Sequence, residues 1–345
     1  MKKILIIVGG IVALACGCKT EVKNEGMFEN EQKIIGEVIK VAPELDQVID
    51  AGAGIELLAE GFEWTEGPLW IEDGGYLLFS DIPKNSIYKW MEEDGVSLYL
   101  KPSGYTGKEE RGGETGSNAL LLNDEGSLVL CQHGDRRLAT MDAPLSDPTP
   151  NFTTLADAYQ DMKFNSPNDA TFDGKGNLYF TDPPYGLEKM MDDPLKEIPF
   201  QGVYRLLSNG QVELITKDLE RPNGIALSND GKKLYVANSY SERPIIMSFP
   251  IDEDGTIGEG EVFFDAKPLK VDGVKGSPDG MKISQSGIIF ATGPGGILVI
   301  EPSGKHLGTI STGESVSNCA LDAKEDYLYA TSDMYLVRIK LKGKS

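Results

Sequence analysis

Asn168-Asp169-Ala170-Thr171-Phe172, a turn at Gly174-Lys175-Gly176-Asn177, Leu178-Tyr179-Phe180-Thr181-Asp182, then apolar runs at Val203 to Leu207 and Val212 to Thr216 around Ser208-Asn209-Gly210 decide the fold. Short stretches rich in β-branched and aromatic residues, separated by Gly and Asn turns, spell four antiparallel strands. The first two strands recur five more times along the chain. Glu66-Gly67-Pro68-Leu69-Trp70 precedes Tyr76 to Asp81; Asn118 to Leu122 precedes Leu128 to Cys131; Asn223 to Leu227 precedes Leu234 to Asn238; Asp279 to Ile283 precedes Ile288 to Thr292; and Asn318 to Asp322 precedes Tyr327 to Thr331. The lead residues stand 39 to 56 positions apart, which leaves room for a four-stranded unit each time. A repeat of this period and content predicts an all-β, six-bladed β-propeller. The sixth unit runs out of chain after its third strand, Tyr335 to Leu341, and Ile55 to Ala59 upstream of the first unit is free to supply the fourth. That pairing closes the ring and removes an exposed sheet edge.

The chain of 345 residues carries 33 Lys+Arg against 54 Asp+Glu, a net charge of −21. Such a balance excludes nucleic acid as a partner, since phosphate binding needs clustered cations. At its start, Met1-Lys2-Lys3 and the apolar run Ile4 to Ala15 form an export signal too short to span a bilayer as a mature helix. Small residues before Cys16 and Cys18 resemble a bacterial lipoprotein site, so residues 1–18 are expected as a lipoprotein-type signal, with Cys18 preferred over Cys16 as the lipidated residue. Residues 19–50 follow as a polar tether containing one short helical stretch, Asn30 to Val41, and residues 51–345 as the propeller. The protein is then exported and anchored in the bacterial envelope, touching membrane only through its lipid. No feature specifies an oligomeric state. Cys131 and Cys319 fall in different blades and are expected as buried free thiols.

First strands of propeller blades line the axial channel, so Glu66, Asn118, Asn168, Asn223, Asp279 and Asn318 converge there. Turn chemistry accounts for Asn-Gly at a strand start, but not for Glu66 and Asp279 falling in the same register. Carboxylate and amide oxygens suit a hard divalent cation, Ca²⁺, Mg²⁺ or Mn²⁺, whereas Zn²⁺ more usually calls on His or Cys.

Glu66-Gly67-Pro68, Ser166-Pro167-Asn168-Asp169, Arg221-Pro222-Asn223-Gly224-Ile225-Ala226-Leu227-Ser228 and Ser277-Pro278-Asp279-Gly280-Met281 resemble the gluconolactonase and regucalcin (senescence marker protein) family over roughly residues 50 to 342. The resemblance implies a six-bladed propeller with a central divalent metal, usually calcium, on Glu66, Asn223 and Asp279, with Asn168 completing the shell or contacting substrate. Asn118 and Asn318 are left as channel lining, with Asn118 also a candidate substrate contact. The segments Cys131 to Arg137 and Thr181 to Leu187 resemble the bacterial gluconolactonase branch and leave second strands toward the channel mouth. They make His133, Asp182 and Tyr185 candidate substrate contacts, with His133 alternatively a structural hydrogen-bonder. Ser166 stands where regucalcin has an arginine, so that protein's substrate does not carry over.

The activity implied is hydrolysis of a sugar lactone such as glucono-1,5-lactone: a metal-polarised carbonyl is attacked by water, with Asp279, or second to it Glu66, accepting the proton. No Gly-x-Ser-x-Gly elbow offers a nucleophile. A calcium-dependent organophosphate or aryl-ester hydrolase and a non-catalytic, calcium-stabilised binding propeller are the alternatives.

Overall fold

The computed structural model describes residues 33–50 and 52–343. The export signal, Cys16, Cys18 and the tether up to residue 32 lie outside the described residues.

Among the described residues, six sheets of four or five antiparallel strands follow one another along the chain. Blade 1 comprises Thr65–Ile71, Tyr76–Asp81, Ser86–Met91 and Gly95–Leu100. Blade 2 comprises Ser117–Leu122, Leu128–Gln132, Arg137–Met141 and Phe152–Ala156. The unit that decided the fold is blade 3, with strands Ala170–Phe172, Leu178–Asp182, Gly202–Leu206 and Val212–Thr216. Blades 4 and 5 start at Pro222–Leu227 and Met281–Ile283. Blade 6 joins Val316–Leu321, Tyr327–Ser332 and Tyr335–Lys340 to Ile55–Glu60. The closing register runs from Tyr335 opposite Glu60 to Ile339 opposite Ile55, so the first strand of the ring completes its last blade.

Apolar side chains fill the seams between blades. Phe180 of blade 3 stacks on Tyr204 with ring centroids 5.3 Å apart, and Phe164 meets Phe180 edge-on at 5.1 Å. At the closing seam, Trp70 of blade 1 stacks on Tyr329 of blade 6 at 5.3 Å. Cys131 and Cys319 are buried free thiols within these seams.

The segment 33–50 differs from the expected tether. Over the described part of the expected helical stretch, residues 33–41, no helix forms; Ile34–Ile35 pairs with Ile55–Glu60 as a fifth strand on blade 6, and Glu37–Lys40 pairs with His306–Ser311 as a fifth strand on blade 5. Ile34, Ile35, Val38, Ile39 and Val41 are β-branched, stiff at χ1 and suited to a pleated surface, and this local preference prevails over the expected helical stretch. A 3₁₀ turn at Pro43–Gln47 then drives Leu45, 2% exposed, into the cluster holding Leu307, Ile310 and Val337. The compact unit therefore begins at Lys33.

Leu45→Ala should cost about 2 to 5 kcal/mol as a buried cavity, read as a lower urea midpoint with unchanged m value. An unchanged midpoint would mean that residues 33–50 contribute nothing to the fold.

Candidate functional site

The first strands of blades 1, 2, 4 and 6 each carry a register shift near the lead residue. At Gly67, φ is +53°, and a Cβ there would lie 2.1 Å from the Asn118 carbonyl oxygen; at Gly224 it would lie 2.0 Å from the Asp279 carbonyl oxygen. Glycine after the lead residue thus lets neighbouring first strands crowd together at the axis, a packing reason beyond turn chemistry. Hydroxyls lock that crowding: from second strands, Ser80 Oγ donates to Asn118 O at 2.9 Å and Thr181 Oγ1 to Asn223 O at 2.7 Å, and from the first strand of blade 6, Ser317 Oγ donates to Thr65 O at 2.7 Å.

The result is a cavity of about 310 Å³ at one mouth of the channel. Glu66, Asn118, Asn168, Tyr185, Asn223 and Asp279 all line it, as do Trp64, Glu114, Ser239, Ser277 and Ser315. Asn318 lies behind, its Nδ2 donating to Glu66 Oε2 at 3.2 Å beside the Gly67 N–H at 2.7 Å. Asn223 Nδ2 donates to Ser239 Oγ at 3.0 Å.

Electrostatically the site is short of positive charge. Burial raises Glu66 to about 8, with the charges of Asp169 and Glu114 adding and the hydrogen bonds from Gly67 and Asn318 opposing. Burial also drives Asp279 well above the usual carboxylate range, reinforced by Glu66, Asp169 and Glu114. Asp169 itself is committed elsewhere, accepting from the Ala170 and Ile225 amides. Among the described residues, Asn118 Oδ1, Asn168 Oδ1 and Asp279 Oδ1 are buried oxygens without a hydrogen-bond partner. Stranding such atoms costs about 1 to 3 kcal/mol each. No group of three or more His, Cys, Asp and Glu among the described residues is placed to hold a metal; the convergent donors are two carboxylates with amides. An oxygen-only set of buried, unpartnered acceptors fits a hard divalent cation and offers nothing to a softer one.

Two candidate contacts fall elsewhere. Asp182 is fully buried and off the cavity, because its carboxylate accepts the Asn165 N–H at 2.8 Å and the Ser166 N–H at 2.7 Å, clamping the loop that leads into Asn168. Asp81 does the same for Glu63 and Trp64 in blade 1, so the acidic end of the second strand is a repeated loop clamp. His133 is also fully buried, behind Asn168 rather than in the cavity, with its Nε2 3.4 Å from Asn168 Nδ2. Arg136 spends its guanidinium on the carbonyls of Phe164, Asn165 and Leu195, and Arg137 pairs with Asp135 at 3.0 Å.

Sequence reasoning missed Glu114. It arrives on the loop 101–116, whose Lys108-Glu109-Glu110-Arg111-Gly112-Gly113 reads as an ordinary surface turn. Its signal was length, since a connection this long without strands of its own is uncommon unless functional. Arg111 ties this loop to the one carrying Tyr185 by donating to the carbonyls of Gly134 and Gly186. Burial raises the Tyr185 phenol, the Asp279 charge adds, and hydrogen bonding to Ser239 opposes, so the phenol stays a donor.

Residues 64–334 match the family described as SMP-30/Gluconolactonase/LRE-like region. A gluconolactonase of Zymomonas mobilis is 39% identical over 313 residues, covering 89% of this chain and 87% of the relative. The solved structure of a gluconolactonase from Xanthomonas campestris superposes with a TM-score of 0.75 at 26% identity, covering 90% of this chain and 97% of that one. A calcium-binding regucalcin from Agrobacterium tumefaciens, 19% identical, shares the fold with a TM-score of 0.63 over 85% of this chain and 95% of its own.

Without a cation, folded Glu66 holds its proton up to about 8 against an ordinary 4.5. The folded state then binds more protons than the unfolded one between those values, so stability falls as pH rises through that window. In EDTA, the urea midpoint should drop from pH 5 to pH 8, and Glu66→Gln should flatten the slope; a midpoint that rises with pH contradicts the burial assigned to Glu66.

Proposed function

This chain belongs to the SMP-30/gluconolactonase/LRE-like family, and on that premise we propose how its channel-mouth cavity opens the ring ester of a sugar lactone. The protein is an enzyme of the lactonase class. The substrate proposed is glucono-1,5-lactone or a related aldonolactone, and the metal proposed is Ca²⁺ on Glu66, Asn168, Asn223 and Asp279. The observation that carries this reading is the meeting of two buried carboxylates with unpartnered amide oxygens on one cavity of about 310 Å³, room for a single sugar ring.

Bound there, the cation would supply Lewis-acid stabilisation to the oxyanion that forms as water attacks the ester carbonyl. Asp279 accepts the proton of that water. Its Oδ1 takes no protein hydrogen bond, and burial beside Glu66 raises its proton affinity, as a general base requires. The same proton returns to the ring oxygen as the C–O bond breaks, leaving the open-chain hydroxy acid. Tyr185, Ser277 and Ser315 present hydroxyls to a polyol, Glu114 accepts from sugar hydroxyls, and Trp64 offers a flat apolar surface for the C–H face of the ring.

Hydrolysis of a panel of aldonolactones should vanish in EDTA and return with Ca²⁺, with Mg²⁺, Mn²⁺ and Zn²⁺ as comparisons. Asp279→Asn should lower kcat at least about 100-fold while near-UV circular dichroism stays native. Turnover unchanged by that substitution would remove Asp279 from the chemistry.

The amino-terminal pattern supports export with lipidation of Cys18 or Cys16. Mass analysis of the mature amino terminus should find a diacylglyceryl cysteine, and an unmodified terminus downstream of both cysteines would contradict this.

A further inference from the structure

Asn168 can serve the cavity as an oxygen donor only if its amide is turned the right way, because the two ends of an amide differ in chemistry and hardly at all in shape. Nothing in its own strand dictates the turn. What faces it is His133, fully buried at the end of blade 2, with Nε2 3.4 Å from Asn168 Nδ2. On the other side of the ring, His133 Nδ1 lies 3.1 Å from Glu114 Oε2, within ion-pair distance although short of full hydrogen-bond alignment. Glu114 keeps 35% of its side chain exposed and has the freedom to complete that alignment. The residue is held at its base: the His133 backbone N–H donates to Gly116 O, and Gly186 sits so close that a Cβ there would come within 2.8 Å of His133 Cβ.

We infer that Glu114, His133 and Asn168 form a positioning chain that aims Asn168 Oδ1 into the cavity. A carboxylate only accepts, so Glu114 places the imidazole proton on Nδ1; Nε2 is left with a lone pair and accepts from Asn168 Nδ2–H. The amide oxygen then points to the channel, where it is buried without a partner. With the proton on Nε2 instead, the ring would call for Asn168 Oδ1 and the amide nitrogen would face the cavity, a donor where an acceptor is needed. The logic is that of a second-layer group that orients a metal-binding side chain. Blade 4 has a parallel device, since Asn223 Nδ2 donates to Ser239 Oγ, which itself donates to the Pro278 carbonyl. His133 is therefore a positioning residue, and its role rests on the reading of Asn168 as an oxygen donor to a cation.

The test begins with the unmutated full chain. It contains two histidines, and His306 Nε2 lies 2.9 Å from the Gly308 carbonyl oxygen, which can only accept. Two-bond ¹⁵N–¹H spectra of histidine-labelled protein should show opposite neutral tautomers, Nδ1–H for His133 and Nε2–H for His306. An Nε2–H tautomer or an imidazolium at His133 overturns the inference. Calorimetric titration with Ca²⁺ alone should then show affinity weakened by about 10- to 100-fold in His133→Leu, and largely restored in His133→Gln, whose amide oxygen can accept where Nε2 did. A folded His133→Leu protein that binds Ca²⁺ like the unmutated chain overturns it too. Should His133→Leu fail to fold, Glu114→Gln, at a partly exposed position, should raise the Nε2–H population of His133; an unchanged tautomer removes Glu114 from the chain. Failure of the functional reading looks different: the unmutated protein would neither bind Ca²⁺ nor hydrolyse a lactone, whatever the tautomer of His133.

Discussion

Everything at the channel depends on the antiparallel pairing of Ile55–Glu60 with Tyr335–Lys340. A ring of sheets has no self-contained blade, since each seam is filled from both sides, and the last seam exists only once the two ends of the chain have met. Trp70 stacked on Tyr329, and Ser317 Oγ bonded to Thr65 O, belong to that seam. The fifth strands contributed by residues 34–40 reinforce blades 5 and 6 from outside, with Leu45 pinned into their core. Closure is thus supported by chain segments far apart in sequence, a topology of long-range contacts that forms slowly.

Closure forces the first strands inward, and the chain meets that demand with devices repeated from blade to blade. Glycines at 67 and 224 permit backbone approach, hydroxyls at Ser80, Thr181 and Ser317 hold the facing carbonyls, and Asp81 and Asp182 clamp the loops that deliver the lead residues. Rigidity obtained this way lets the axis hold two carboxylates in a buried position. Desolvating them opposes folding of the empty site, and a cation bound as proposed would offset that cost. Stability and function are linked through the same few oxygens.

The mouth is less symmetric than the channel. The loops 101–116 and 183–201 rise over blades 2 and 3, joined by Arg111, and bring Glu114 and Tyr185 over the cavity. These residues sit outside the repeat, which is where chemical discrimination among substrates can vary without disturbing the ring.

Period and register were legible from residue order. Six leads at recurring spacing, with Glu66 and Asp279 in phase with asparagines, place those side chains on one axis because a strand position repeated in every blade occupies the same place in every blade. Local reading also misled: a helical stretch is expected over Asn30 to Val41, yet Ile34–Ile35 and Glu37–Lys40 pair with sheet edges supplied by distant blades. Asp182 carries the acidity of a site residue and is spent on two backbone amides of its own blade. Which end of Asn168 faces the channel, that His133 stands behind it, and that Glu114 reaches the cavity were decided by tertiary structure alone. Periodicity specifies where a side chain starts, whereas the hydrogen bonds that choose its orientation come from neighbours which only folding brings within reach.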